Sequence, residues 1–239
     1  MTSDNHAPVA VALDAPDIDT AARWAKLVTP HVSAVKVGLE LYLRYGPDAV
    51  ASVRGGSRLQ VFLDLKLHDI PATVAGAARA VARLRPDYLT VHAAGGADMI
   101  KAAADAAPST RIAAITLLTS LGENDLQAVG LRGSALDVTR RLATFAVEAG
   151  AGAVVCSPHE VAAVRAEVGP AVALVTPGVR PVGADSGDQA RVATPPEALA
   201  AGADLLVIGR PITDSPDPGA AAAAIAADLR RSEGAGTVE

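Results

Sequence analysis

Aromatic residues are scarce, at 3% of the chain, so the interior must be built almost wholly from aliphatic side chains. Cysteine is nearly absent. Cys156 stands alone, which excludes an intrachain disulfide and suits a reducing cytoplasm. An excess of basic residues is also missing: the net charge of -5 offers no attraction to nucleic acid or to an anionic membrane surface. A local basic pocket for a phosphorylated small molecule stays compatible with that balance. No apolar run reaches the ~20 residues that a membrane helix needs, since charges interrupt each one. The opening Met1–Pro8 lacks the basic-then-apolar pattern of a secretion signal. These absences predict a soluble, cytoplasmic protein with neither a nucleic-acid nor a membrane partner.

What the chain does have is aliphatic bulk, with 50% hydrophobic residues. Short runs of Val, Ile and Leu recur between Ala-rich amphipathic stretches. Strands are expected at Val9–Asp14, Ala34–Gly38, Gln60–Leu67, Tyr88–Ala93, Arg111–Thr119, Ala153–Ser157, Ala173–Gly178 and Leu205–Gly209. Each precedes a plausible helix, and strand–helix alternation implies parallel βαβ units. Eight units closing on themselves give an α/β (β/α)8 TIM barrel, a single domain over residues 1–239 with flexible tails at 1–7 and 232–239. An open doubly wound sheet is the other architecture, but no Gly-rich dinucleotide fingerprint follows the first strand.

The punctuation agrees. Asp217-Pro218 reads as an N-cap with proline in the first turn, and Gly150, Gly169 and Gly202 sit where helices should stop. Leu121–Arg132 reads as an elaborated connection after the fifth strand. Val179–Pro196 is a long polar loop, of the kind that is usually functional or disordered in a compact barrel.

Charge on the inward face of the strands is the informative feature. In a barrel, alternate strand residues point inward and active sites lie at the C-terminal strand ends. Along Val61–Leu67, the residues Val61, Leu63, Leu65 and Leu67 share the outer face, leaving Asp64 and Lys66 facing the mouth. Asp69 follows just past the strand. Lys36 stands between outward Val35 and Val37, and Asp14 ends the first strand on the face of Ala10 and Ala12. A salt-bridged interior could account for one such pair. Two lysines and at least two carboxylates from three strand ends exceed what packing needs, because buried charge is costly unless paired. Negative charge on either side favours the ammonium form of Lys66, a suitable general acid for a carbanion formed in front of it.

At the other end of the chain, Gly209 allows close approach of a ligand to the backbone, and Pro211 suits the start of a short helix. Helix-start N–H groups with the Arg210 guanidinium make a phosphate cradle, a recurrent feature after the last strands of this barrel. The other reading of a lone Gly-Arg is an ordinary surface turn.

Taken together, Asp64-Leu65-Lys66-Leu67-His68-Asp69-Ile70-Pro71-Ala72-Thr73 resembles the Asp-x-Lys-x-x-Asp-Ile-Pro-x-Thr signature of the orotidine 5'-phosphate decarboxylase family. Asp14, Lys36-Val37-Gly38, Leu118-Thr119-Ser120, Pro177-Gly178-Val179-Arg180, Gly187-Asp188-Gln189 and Val207–Ile212 resemble its other motifs, in order along nearly the whole chain. The resemblance implies conversion of orotidine 5'-phosphate to uridine 5'-phosphate and carbon dioxide, without metal or cofactor. It implies an alternating charged array of Lys36, Asp64, Lys66 and Asp69, with Lys66 protonating the C6 carbanion. It implies that Asp14 and Lys36 bind ribose hydroxyls and Thr119 the pyrimidine edge. Gln189, Gly209 and Arg210 would hold the phosphate, with Arg180 nearby, and Ile70 and Thr73 are further substrate-binding positions. The long seventh loop would close over substrate. A homodimer with shared sites is implied as well, Asp69 and Thr73 reaching into the neighbouring subunit.

Two other readings remain open. A magnesium-dependent sugar-phosphate decarboxylase or aldolase of the same barrel superfamily resembles the same strand, but typically carries an acid where Lys36 stands. A non-catalytic barrel that binds a nucleotide phosphate would be expected to lack Lys66. His92, inward with Thr90, lines the site or is an interior hydrogen-bonded histidine. Cys156 and His159 have the spacing of metal ligands without a second pair, which favours packing.

Overall fold

The structure, a computed structural model, describes residues 6–181 and 193–235. Eight parallel strands close into a barrel in sequence order. They are β1 (Ala7–Ala12), β2 (Val32–Val37), β3 (Gln60–Leu67), β4 (Tyr88–His92), β5 (Arg111–Ile115), β6 (Ala153–Val155), β7 (Ala173–Thr176) and β8 (Leu205–Ile208). Closure comes from β8 pairing with β1, with Val9 opposite Leu206 and Val11 opposite Ile208.

Helices fill the connections. α1 (Ile18–Val28) follows β1, α2 (Leu39–Tyr45) and α3 (Pro47–Arg54) follow β2, and α4 (Pro71–Ala82) and α5 (Ala97–Ala106) follow β3 and β4. Next come α6 (Glu123–Ala128) and α7 (Ala135–Glu148) after β5, α8 (Val161–Val168) after β6, and α9 (Pro195–Ala200) before β8. The short α10 (Arg210–Thr213) and long α11 (Pro218–Ala235) complete the chain of elements. Among the described residues, no helix is long and apolar enough to cross a membrane.

Strand alternation sorts the core into two layers. Outward Val9, Val11, Val35, Val37, Val61 and Leu63 pack beneath the helices in one large cluster. Inward Ala10, Ala34, Ala113 and Ala153 share the barrel interior with Phe62 and Tyr88. Small side chains on four strands leave room for two aromatic rings, whose centroids lie 5.4 Å apart. With so few aromatics in the chain, these two fill the axis and form the floor on which the mouth is built.

Several expected boundaries shift. β1 starts at Ala7, the last residue of the expected tail, because its N–H donates to His31 O at 2.9 Å and so extends the ladder by that residue. β2 starts at Val32, the polar Ser33 being carried within the strand. β5 stops at Ile115, short of Thr119; Thr116 and Leu117 are buried at the mouth, so the apolar run reports burial where the ladder has already ended. β1, β2, β4, β6, β7 and β8 likewise end one or two residues before the expected limits. The connection 121–132 contains α6, where the Asp125 carboxylate accepts the Gly122 N–H at 2.9 Å and Leu126 packs on Leu117 and Val138. α11 runs to Ala235, past the expected start of a tail at Ser232. Leu229 anchors its buried side while Arg230–Ser232 lie along its solvent face.

The punctuation holds. Asp217 accepts the Ala220 N–H at 2.9 Å ahead of Pro218. Gly150, Gly169 and Gly202 follow helices with φ of 103°, 72° and 107°. The long loop is described at both ends only. Arg180 N–H donates to Ala193 O at 2.9 Å, and Thr194 caps α9.

Candidate active site

The C-terminal mouth of the barrel opens into a cavity of about 600 Å³. Asp14, Lys36, Asp64 and Lys66 line one side, and Thr119, Arg180, Gly209 and Arg210 line the other. Phe62 forms part of the floor. A wider groove beside α7, about 930 Å³, is open to solvent and carries surface charge such as the Arg140–Glu167 pair. It lies away from the charged strand ends, and the mouth is the better candidate on chemistry.

Four charges alternate in sign across β1, β2 and β3. Lys36 Nζ lies 3.4 Å from Asp14 Oδ1 and 3.5 Å from Asp64 Oδ2, and Lys66 Nζ donates to Asp64 Oδ2 at 2.8 Å. Burial grades along the row. The Asp64 and Lys36 side chains are 10% and 11% exposed, that of Lys66 30%, and that of Asp14 63%. Removing an ion from water costs on the order of several kcal/mol, so the sealed pair needs the alternation to offset it. Burial is the largest influence on Asp64 and pushes its carboxyl up. Lys36, Lys66 and hydrogen bonds from Lys66 and Thr90 outweigh it and hold the group below the usual carboxylate range. Asp64 is thus an anion locked between two cations.

Backbone geometry delivers these charges. β3 and β4 pair Leu63 with Leu89 and then Leu67 with Val91, so four steps on β3 match two on β4. The Asp64–Lys66 stretch therefore bulges from the ladder, and Lys66 takes φ 49°, in the left-handed region that costs an L-residue about 1–2 kcal/mol. Such strain persists only where surrounding contacts over-determine it. Just after β2, a Cβ at Gly38 would meet Asp14 Oδ1 at 2.9 Å and Lys36 Nζ at 3.1 Å, so glycine leaves the space in which that ion pair sits. At Gly209, a Cβ would meet Ala12 Cβ at 3.3 Å, which records how closely β8 approaches β1 beside Arg210.

Not every expected residue reaches this cavity. Asp69 is exposed just past β3, where its own carboxylate accepts the Ile70 N–H at 2.6 Å. Within one chain the fourth member of the charged row is Asp14, in place of the expected Asp69. Ile70 is 66% exposed and Thr73 lies on the exposed start of α4, neither lining the mouth of its own barrel. Gln189 lies outside the described residues. Cys156 is buried, its thiol pushed up to about 12 chiefly by burial, and among the described residues no group of three His, Cys, Asp or Glu could hold a metal ion.

Other residues enter that the sequence left in the background. Asp214 lines the cavity after α10; an acid four positions past Arg210 was its only signal. Thr90, fully buried, donates to Asp64 Oδ1 at 3.0 Å and accepts the Lys66 N–H at 2.8 Å. His92 lies against His68 with ring centroids 5.3 Å apart and the rings tilted by 36°, and burial first, then His68 and Lys66, hold it below the usual histidine range against the pull of Asp64.

A closed parallel barrel with an alternating lysine–carboxylate row at its C-terminal mouth defines a barrel enzyme that manages charge at a reacting centre. The chain belongs to the orotidine 5'-phosphate decarboxylase / HUMPS family, which it matches over residues 7–225. It is 73% identical over 225 residues to orotidine 5'-phosphate decarboxylase of Thermobifida fusca (strain YX), covering 94% of this chain and 97% of that one. The enzyme of the same name from Frankia casuarinae is 56% identical, covering 93% and 88% of the two chains. In structure the chain is similar to orotidine 5'-phosphate decarboxylase from Lactobacillus acidophilus, with a TM-score of 0.81, 35% identity, and coverage of 93% and 98%.

Proposed function

We infer that this chain is an orotidine 5'-phosphate decarboxylase, a carboxy-lyase that forms uridine 5'-phosphate in the cytoplasm. The observation that carries the reading is the Lys66 ammonium, held 2.8 Å from an Asp64 carboxylate that Lys36 also contacts. The bond from C6 to the carboxylate breaks and its electron pair stays on C6 as carbon dioxide leaves. Lys66 Nζ gives a proton to that pair and is reprotonated from solvent. Stabilising the carbanion as it forms lowers the barrier, whereas binding the substrate tightly would not. The fixed anion of Asp64 holds the ammonium in place before the substrate arrives.

Asp14, at the exposed end of the row, and Lys36 suit ribose hydroxyls. Thr119 suits the pyrimidine edge, and Gly209, Arg210, Arg180 and Gln189 the phosphate. Asp69, Ile70 and Thr73 serve a second subunit's site in a homodimer. The exposure of Asp69 and Ile70, away from their own mouth, supports that assignment.

Lys36 also bears on the magnesium-dependent alternative, since an ammonium beside Asp14 and Asp64 opposes a divalent cation there. The test is loss of the ultraviolet absorbance of orotidine 5'-phosphate on adding purified protein, with and without chelator. Turnover in both arms is expected. Collapse with chelator and recovery with magnesium would overturn the metal-free reading; binding of uridylate without turnover of orotidylate would make the protein a non-catalytic barrel.

A further inference from the structure

Thr90 sits on β4 opposite Ala113, a residue of the barrel interior, and has no exposed surface. It therefore cannot touch a substrate. Its hydroxyl lies where the β3–β4 ladder is interrupted, and it supplies the partner that the bulged Lys66 N–H would otherwise lack. A hydroxyl has one proton and two lone pairs, so its two contacts are complementary: the proton goes to Asp64 Oδ1 and a lone pair receives the Lys66 N–H. Asp64 Oδ1 is thereby occupied from inside the barrel, which leaves Oδ2 turned to the two lysines. Asp64 alone would not fix Lys66, because a carboxylate on its own can rotate and the lysine side chain is long.

We propose that Thr90 is a positioning residue for the proton donor, its single hydroxyl setting both the Lys66 backbone and the rotation of the Asp64 carboxylate. The proposal rests on the decarboxylase reading for its kinetic consequence but not for its structural content. A displacement of about 1 Å at a reacting group can lower turnover on the order of 10²-fold. Removing the hydroxyl while keeping the shape should therefore act on kcat and leave KM nearly alone.

The experiment compares Thr90→Val, Thr90→Ser and Thr90→Ala with the unmodified protein in two arms. In the kinetic arm, Thr90→Val is expected to lose on the order of 10²-fold in kcat with KM changed less than about threefold, and Thr90→Ser to recover most of it. In the second arm, NMR of carboxyl-labelled aspartate follows Asp64 in the free protein. Its titration should move upward in Thr90→Val and return in Thr90→Ser, because a hydrogen bond to the anion is lost and restored. Wild-type kcat in folded Thr90→Val, or equal impairment of the Val and Ser variants, overturns the proposal. If Thr90→Val does not fold, Thr90→Ala takes its place under the same criteria. If the unmodified protein does not turn over orotidylate, the functional reading fails, and the Asp64 titration alone decides the role of Thr90.

Discussion

Gly38 and Asp14 stand so close that a methyl group on the first would fall 2.9 Å from the carboxylate of the second. Gly38 has an ordinary extended backbone (φ -91°), so alanine meets no strain there and the conflict is confined to side-chain ends. Because Asp14 is largely exposed, it can swing aside cheaply. Gly38→Ala should weaken binding of uridylate roughly tenfold, the loss of about one well-placed hydrogen bond to a charged group, while the thermal midpoint stays unchanged. Calorimetric titration and thermal unfolding check both halves.

Lys66 combines a charge with a left-handed backbone, and two substitutions separate them. Lys66→Ala and Lys66→Gly should both lower kcat by on the order of 10⁴-fold, the upper range for a general acid, and leave uridylate binding largely intact. Lys66→Gly should be the more stable of the two by about 1 kcal/mol, since glycine accepts φ 49° without a Cβ penalty. Denaturant unfolding reads that difference. Equal stabilities would mean that the bulge relaxes when the lysine is lost.

If Asp69 serves the neighbouring site, inactive subunits should complement each other. Lys66→Ala and Asp69→Asn homodimers are each expected to be nearly dead. Mixed and refolded together, half the dimers are hybrids with one intact site, so activity should return to roughly a quarter of wild type. No recovery, with hybrids verified by mass, would place Asp69 outside the shared site.

His92 predicts a pH dependence of stability. In the unfolded chain it takes up a proton near pH 6.5, whereas burial, His68 and Lys66 keep it neutral to lower pH in the fold. The unfolded state thus binds more protons just below pH 6.5, and stability falls as pH drops through that region. Partial exposure screens the effect to under about 1 kcal/mol. His92→Gln should flatten the profile between pH 7 and 5. The Asp64 contribution is distinct: its depressed carboxyl is fully stabilising above the usual carboxylate value and is lost only in stronger acid.

Much of this was legible in the sequence because period-two alternation survives in buried parallel strands. Val61 and Leu63 on one face and Asp64 on the other followed from spacing alone, as did Lys36 between Val35 and Val37. The bulge at Lys66 was not legible, since the apolar alternation runs through Leu65 and Leu67 as if the strand were straight. Thr90 was hidden for a related reason: its role is a contact between neighbouring strands, and a threonine beside a histidine on β4 has no local signature. The end of β5 was overestimated because burial at the mouth imitates a strand.

The pairing of β8 with β1 places Arg210 and Asp14 at one opening although they stand near opposite ends of the chain. A growing polypeptide therefore has no complete binding site until its last strand has emerged and docked on its first. Any fragment that stops before Leu205 keeps Lys36, Asp64 and Lys66 but lacks the part of the cavity wall made by Val207, Gly209, Arg210 and Asp214. On the proposed assignment of Asp14 and Arg210 to substrate binding, a nucleotide held across the β1–β8 seam would work as a clasp, favouring the circular arrangement over every state in which the ring is open.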